Sequence, residues 1–176
     1  MKLIGLLLVA AVILPGLVAA ASAGTSQGPV LTDLDGKKTP LNSLLAKGPV
    51  VLNFWATWCG PCRAEMPQLQ KVYQELDAKG VRFAAISLDR GLSKDALVQF
   101  LKGRGIVMPV YRDEDAALAK KFGVVAIPTT FVLARSGEVF YSTKGYRPGD
   151  EVMLRKKIEE LIALEAKPKS KQPAKP

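Results

Sequence analysis

The chain alternates two kinds of hydrophobic pattern. Pro49-Val50-Val51-Leu52-Asn53-Phe54-Trp55 is an almost unbroken apolar run, as expected for a strand buried on both faces, and Val81 to Leu88 is a second. Between them, residues 60–79 place Leu69, Val72, Tyr73 and Leu76 at helical spacing and stop at Gly80. Pro67 inside that stretch deletes one backbone hydrogen bond and is expected to kink the helix. Ser93 caps a further helix running to about Lys102, with Ala96, Leu97, Phe100 and Leu101 along one face. Val107 to Tyr111 reads as a short strand, and Asp115 to Phe122 as a short helix ended by Gly123.

Two hairpins frame this middle. Pro29 to Thr39 turns at Asp35-Gly36, a strong two-residue turn signal. Thr129 to Ala134 and Glu138 to Lys144 turn around Arg135-Ser136-Gly137. A last helix, with Asp150 as its N-cap, runs to about Ala166. There are no internal repeats. The order of strands and helices predicts one α/β sheet sandwiched by helices.

The two ends read differently. Residues 3–14 form an uncharged apolar run behind Lys2, broken by Pro15-Gly16 and followed by small residues up to Ala21-Ser22-Ala23. This is the pattern of a secretory signal peptide over residues 1–23, cut after Ala23. An uncleaved membrane anchor is the other reading, although about 12 clean apolar residues fall short of the ~20 needed to span a bilayer. No cysteine lies near the cleavage point, which removes a lipoprotein. Either way the working domain, residues 24–166, is expected outside the cytoplasm: in the periplasm, or on the extracytoplasmic side of the membrane, where disulfides persist. Residues 167–176 hold four lysines, three prolines and no acid, and read as a disordered basic tail.

Composition narrows the chemistry. The 176 residues carry 25 Lys+Arg against 16 Asp+Glu, a net charge of +9. Lys2 and the tail lysines account for five of those cations, so the body has 20 basic against 16 acidic residues. No basic stripe interleaved with aromatics appears, and nucleic acid is not an expected partner. With no histidine, a Ser-His-Asp or Cys-His triad, an HExxH zinc site and a histidine-ligated haem are excluded. Two cysteines cannot build a zinc ribbon or hold an iron–sulfur cluster within one chain. No cofactor is expected beyond what the two thiols do together.

Those thiols lie in Trp58-Cys59-Gly60-Pro61-Cys62, where the first buried strand gives way to a helix. At a helix N-terminus, unpaired backbone N–H groups and the helix dipole favour a thiolate, and such cysteines reach pKa values well below the free ~8.5. Cys59 is the expected nucleophile toward a disulfide. Cys62, three residues on, is within reach to resolve the mixed disulfide, and Pro61 suits the first turn. An inert structural disulfide is the bland alternative, but a bridge closing so short a loop stabilises little. Arg63 stands where c-type haem attachment needs a histidine. Peroxidase chemistry on a related fold wants Thr or Ser three residues before the reactive cysteine, and Ala56 is there.

The segment Asn53-Phe54-Trp55-Ala56-Thr57-Trp58-Cys59-Gly60-Pro61-Cys62-Arg63-Ala64-Glu65-Met66-Pro67 resembles the active-site segment of the thioredoxin superfamily. More narrowly, it resembles the exported TlpA/ResA-like branch, related to DsbE/CcmG. Gly123-Val124-Val125-Ala126-Ile127-Pro128-Thr129-Thr130-Phe131 is similar to that family's cis-proline segment, and residues 93–111 match its central insert. The resemblance covers about residues 28–165. It implies a thioredoxin-like three-layer fold, a central mixed β-sheet flanked by helices, with an N-terminal hairpin and a central α/β insert.

The resemblance also implies roles. Ile127-Pro128 becomes a cis peptide facing the dithiol, with the Ile127 backbone pairing an incoming client as an added strand; a trans proline opening an edge strand is the ordinary alternative. Gly145 matches the groove glycine beside the client, or is a plain turn residue. Trp58 forms an apolar rim for docking, with Gly60 and Pro61 beside it, while Trp55 packs beneath. Glu65 matches an acid that tunes the thiols and takes their protons; a solvated first-turn glutamate favoured by the helix dipole is the alternative. Thioredoxin itself has a buried aspartate six residues before its first cysteine. Asn53 stands here instead, which shifts weight onto Glu65.

Direction follows from the dipeptide. Gly-Pro is that of thioredoxin, near −270 mV against about −120 mV for the oxidant DsbA, a gap of roughly 7 kcal/mol. The expectation is a monomeric reductant of exported protein disulfides, such as those of apocytochrome c or copper-site assembly proteins. Its electrons would come from a membrane thiol transporter of the DsbD/CcdA type. A thiol oxidant, or a non-catalytic docking or chaperone module on the same fold, are the rivals.

Overall fold

The computed structural model describes residues 28–167, so the leader and all of the basic tail beyond Lys167 lie outside the described residues. Among the described residues seven strands form one sheet in the order β2-β1-β5-β4-β3-β6-β7. They are β1 (Val30–Asp33), β2 (Lys38–Pro40), β3 (Val50–Trp55), β4 (Arg82–Ser87), β5 (Val110–Arg112), β6 (Thr129–Leu133) and β7 (Val139–Lys144). Strands β3, β4 and β5 run parallel, while β6, β7, β1 and β2 join antiparallel at the two sides. Five helices connect them: α1 (Leu41–Leu45), α2 (Gly60–Leu76), α3 (Lys94–Lys102), α4 (Ala117–Lys121) and α5 (Asp150–Ala166). This is the expected thioredoxin-like, three-layer arrangement around a mixed sheet.

All six residues of β3 are buried, because successive side chains serve opposite layers. Val51 and Trp55 pack with Met66, Leu69, Val72 and Leu76 of α2, Leu97 of α3 and Leu154, Ile158 and Leu161 of α5. Val50, Leu52 and Phe54 face the other way, onto Leu41 and Leu45 of α1 and Leu118 and Ala119 of α4. The same alternation sends Asn53 toward α2, a polar side chain in an apolar layer that needs a partner there.

Several local expectations are corrected. The first hairpin turns through Leu34–Lys37, four residues, because Asp33 Oδ1 accepts from the backbone N–H of Asp35 and of Lys37, both at 2.9 Å, and so builds the turn itself. Asp150 is the first residue of α5 and not its N-cap; Gly149 holds that position at φ +104°, and the Asp150 carboxylate accepts from the Arg147 N–H at 2.8 Å. Strand β5 begins three residues later than expected, since the Val107 and Met108 N–H groups donate to Gln70 Oε1 of α2. Helix α2 stays helical through Pro67. Gly48, just before β3, admits no side chain: a Cβ would lie 1.9 Å from the Gly80 carbonyl oxygen. Among the described residues no helix is long and apolar enough to cross a membrane.

Candidate active site

The carboxyl end of β3 delivers the chain into α2 at the cysteine pair. Cys59 occupies the N-cap of α2 with extended backbone, and its Sγ accepts from the Cys62 N–H at 3.2 Å, as a capping serine hydroxyl would. Gly60 and Pro61 fill the first helical positions, where a missing N–H costs nothing. Cys59 and Cys62 are joined, with an S–S distance of 2.06 Å. Cys62 is wholly buried and Cys59 slightly open, so an incoming sulfur meets Cys59 first.

The turn before the cysteines is tied down from the loop after β4. Asp89, buried, accepts from the Thr57 backbone N–H at 3.1 Å, from Thr57 Oγ1 at 2.7 Å and from Ser87 Oγ at 2.8 Å. Sequence reading missed Asp89, whose only local signal is an acid just past a buried strand. The tether leaves Trp58 68% exposed beside the dithiol, while Trp55 is fully buried and stacked on Phe100. Arg63 is exposed and makes no ion pair among the described residues.

Opposite the dithiol lies the loop before β6. The Ile127–Pro128 peptide bond is cis, and the Ile127 carbonyl oxygen is 3.8 Å from Cys59 Sγ. Among the described residues no backbone group pairs with the Ile127 N–H or C=O. Pro128 C=O accepts from the Gly145 N–H at 2.7 Å, which brings the loop after β7 to the site. Gly145 sits at φ +75°, a left-handed conformation that by itself selects glycine. Two hollows flank the cysteines: one of about 480 Å³ bordered by Pro61, Gly145, Tyr146 and Arg147, and one of about 420 Å³ bordered by Thr57, Trp58 and Arg90. A further hollow, about 660 Å³ beside β1 and α4, shares no residue with the site.

Glu65 is buried, which removes the reading of a solvated first-turn acid. One helical turn beyond Cys62, it enters the layer where Asn53 was left without a partner. Asn53 Nδ2 donates to Glu65 Oε2 at 2.8 Å and to Thr130 Oγ1 at 2.9 Å, and Thr130 Oγ1 donates to Glu65 Oε1 at 3.2 Å. Burial pushes the Glu65 carboxyl up from 4.5 to about 7; the two hydrogen bonds pull it down, and Asp150 adds a push upward. An acid poised near neutrality beside a buried thiol is suited to exchanging protons with it. Thr130 had no signal of its own in the sequence: it meets Asn53 because the two are directly paired across β3 and β6. Ala56 is buried, so no hydroxyl stands three residues before Cys59. Among the described residues no three acids and cysteines gather as a metal site would require.

Comparison with known proteins agrees with this geometry. The AhpC/TSA family model matches residues 26–142. The thiol-disulfide oxidoreductase ResA of Bacillus thuringiensis subsp. konkukian is 37% identical over 123 residues, 70% of this chain and 69% of the relative. ResA of Bacillus subtilis is 39% identical over 110 residues, 62% of this chain and 60% of that protein. Among solved structures, a thiol:disulfide interchange protein of the thioredoxin family from Chlorobium tepidum superposes with a TM-score of 0.63 at 26% identity, covering 77% of this chain and 95% of the other.

Proposed function

The chain belongs to the AhpC/TSA family and, with its ResA-like dithiol, is a thiol-disulfide oxidoreductase; on that premise we propose that it works as a reductant of selected exported protein disulfides. The observation that carries the reading is Cys59 Sγ at the mouth of α2, facing the unpaired Ile127 backbone. A client strand laid along Ile127 presents its cystine to Cys59. The Cys59 thiolate attacks one client sulfur and the other leaves as thiolate. Cys62, giving its proton to Glu65, then attacks Cys59 and releases the second client sulfur. Two electrons pass to the client, and its two thiolates are protonated.

Reduction is favoured over oxidation by the Gly60-Pro61 dipeptide and by the absence of a histidine cation that would stabilise the thiolate further. The apolar leader supports an extracytoplasmic site of action. The clients are apocytochrome c or copper-assembly proteins, the electrons come from a DsbD/CcdA-type membrane transporter, and the protein acts as a monomer with the dithiol as its sole redox group. In the test, Cys59→Ser abolishes reduction of insulin disulfides. Cys62→Ser accumulates mixed disulfides with clients, identifiable by mass spectrometry of the trapped species. A Cys59→Ser variant that keeps its function in cells would instead mark a docking module.

A further inference from the structure

A proton that reaches Glu65 has to leave again before the next turnover. Asn53 and Thr130, which hold its two oxygens, do not titrate in the working range, and both are buried. Another face of Glu65 opens on a crevice of about 10 Å³, room for a single water molecule. Buried Leu69 and Leu154 form the dry part of its wall, and half-buried Tyr146, Asp150 and Glu151 the polar part. Asp150, like Thr143 and Tyr146, also borders the 480 Å³ hollow beside Pro61, so the Glu65 crevice and the space where a client lies share a wall in which Asp150 is the only carboxylate among the described residues.

We propose that Asp150 relays protons between Glu65 and the client groove through a water in this crevice. The inference rests on the reading above, in which Glu65 serves Cys62. Of the ionisable groups the structure describes around the crevice besides Glu65, Asp150 is the one free to act. The Tyr146 hydroxyl donates to Glu151 Oε2 at 3.0 Å and is pushed up to about 12, mainly by burial, so it keeps its proton. Glu151 Oε2 also accepts from the Gly149 N–H at 3.0 Å, and its carboxyl is held below the usual range first by its own backbone N–H, then by the Tyr146 hydroxyl and the Gly149 N–H. Asp150 uses Oδ2 for the Arg147 N–H, and among the described residues nothing bonds its Oδ1. Among the described residues no cation borders the crevice: Lys144 and Arg147 border the hollow beside Pro61, and Arg155 pairs with Glu75 at 2.8 Å. The step balances. The Cys62 thiol proton passes to Glu65, to water, then to Asp150 and the groove, while the departing client thiolate takes up one proton there.

The test is the pH–rate profile for resolution of a mixed disulfide in the full chain, followed by tryptophan fluorescence with insulin as the probe client. Asp150→Asn keeps an acceptor for the Arg147 N–H but carries no proton. It is expected to slow resolution at pH 7 roughly tenfold, less than the ~10²-fold that loss of a direct acid–base group causes. The Glu65 limb of the profile should move to lower pH, because a neighbouring negative charge is gone. Asp150→Glu and added imidazole should each restore the rate. If Glu65→Gln is slow but Asp150→Asn behaves as wild type, the relay is wrong and the role of Glu65 stands. A Glu65→Gln variant with an unchanged rate and profile removes both. A slow Asp150→Asn that neither Glu nor imidazole restores makes Asp150 a structural start of α5, and overturns the relay.

Discussion

At the scale of single residues, the site depends on how a carboxylate is kept inside an apolar layer. Glu65 is tolerated there because two donors meet it, and those same donors limit how far burial can raise its pKa. Thr130→Val preserves shape and deletes one of them. The Glu65 titration midpoint, followed by carboxyl NMR, is expected to rise above its value of about 7. At pH 8, where the acid is charged, the variant should lose about 1–3 kcal/mol of stability for the missing bond. A midpoint that stays put or falls would show that the Thr130 hydroxyl does not hold the acid. The sequence placed Glu65 beside Cys62 through simple helical spacing. It could not show Thr130 as the partner, because that contact depends on a register between strands 77 residues apart.

At the scale of elements, the dithiol turn owes its position to a neighbour from another strand. Asp89 holds Thr57 by backbone and hydroxyl at once, joining the loop before α2 to the loop after β4. Asp89→Ala leaves the half-buried Thr57 N–H and two hydroxyls short of an acceptor, which should cost about 2–4 kcal/mol in urea unfolding. It should also lower kcat/KM for insulin reduction and speed amide exchange at Trp58. Loss of stability with unchanged exchange at Trp58 would put the effect elsewhere. The elements that were legible in advance were those whose signal is periodic or punctuated: β3, β4, α2, which ends at Leu76 and passes into a 3-10 turn over Asp77–Lys79 before Gly80, and α3 with its Ser93 cap, which accepts from the Ala96 N–H. The errors have a common cause, side chains that replace backbone partners. Gln70 draws off the Val107 and Met108 N–H groups, so pairing with β4 starts only at the Pro109 carbonyl, which accepts from the Ala85 N–H at 3.0 Å. Helix α1 is five residues long, too short for a period to show, and exists because Leu41 and Leu45 cover one face of the sheet.

At the scale of the whole molecule, the poised acid has a thermodynamic consequence. The folded chain binds a proton on Glu65 up to about pH 7, whereas the unfolded chain releases it near 4.5. Stability from this group is therefore complete below about pH 4.5 and declines as pH rises to 7, because the native state is then the one holding more protons. A difference of this size corresponds to ~3 kcal/mol, to order of magnitude. The other shifted groups titrate outside that window: Glu151 is held low, and Lys94, Tyr111 and Tyr146 are raised from 10 or above. The cysteines do not contribute while they are joined. Urea midpoints of the oxidised protein should thus be lower at pH 8 than at pH 5, and Glu65→Gln, which cannot ionise, should flatten that slope and exceed wild type at pH 8. Equal slopes in the two proteins would mean that Glu65 is solvated after all, and with that the proton acceptor assigned to Cys62 would be gone.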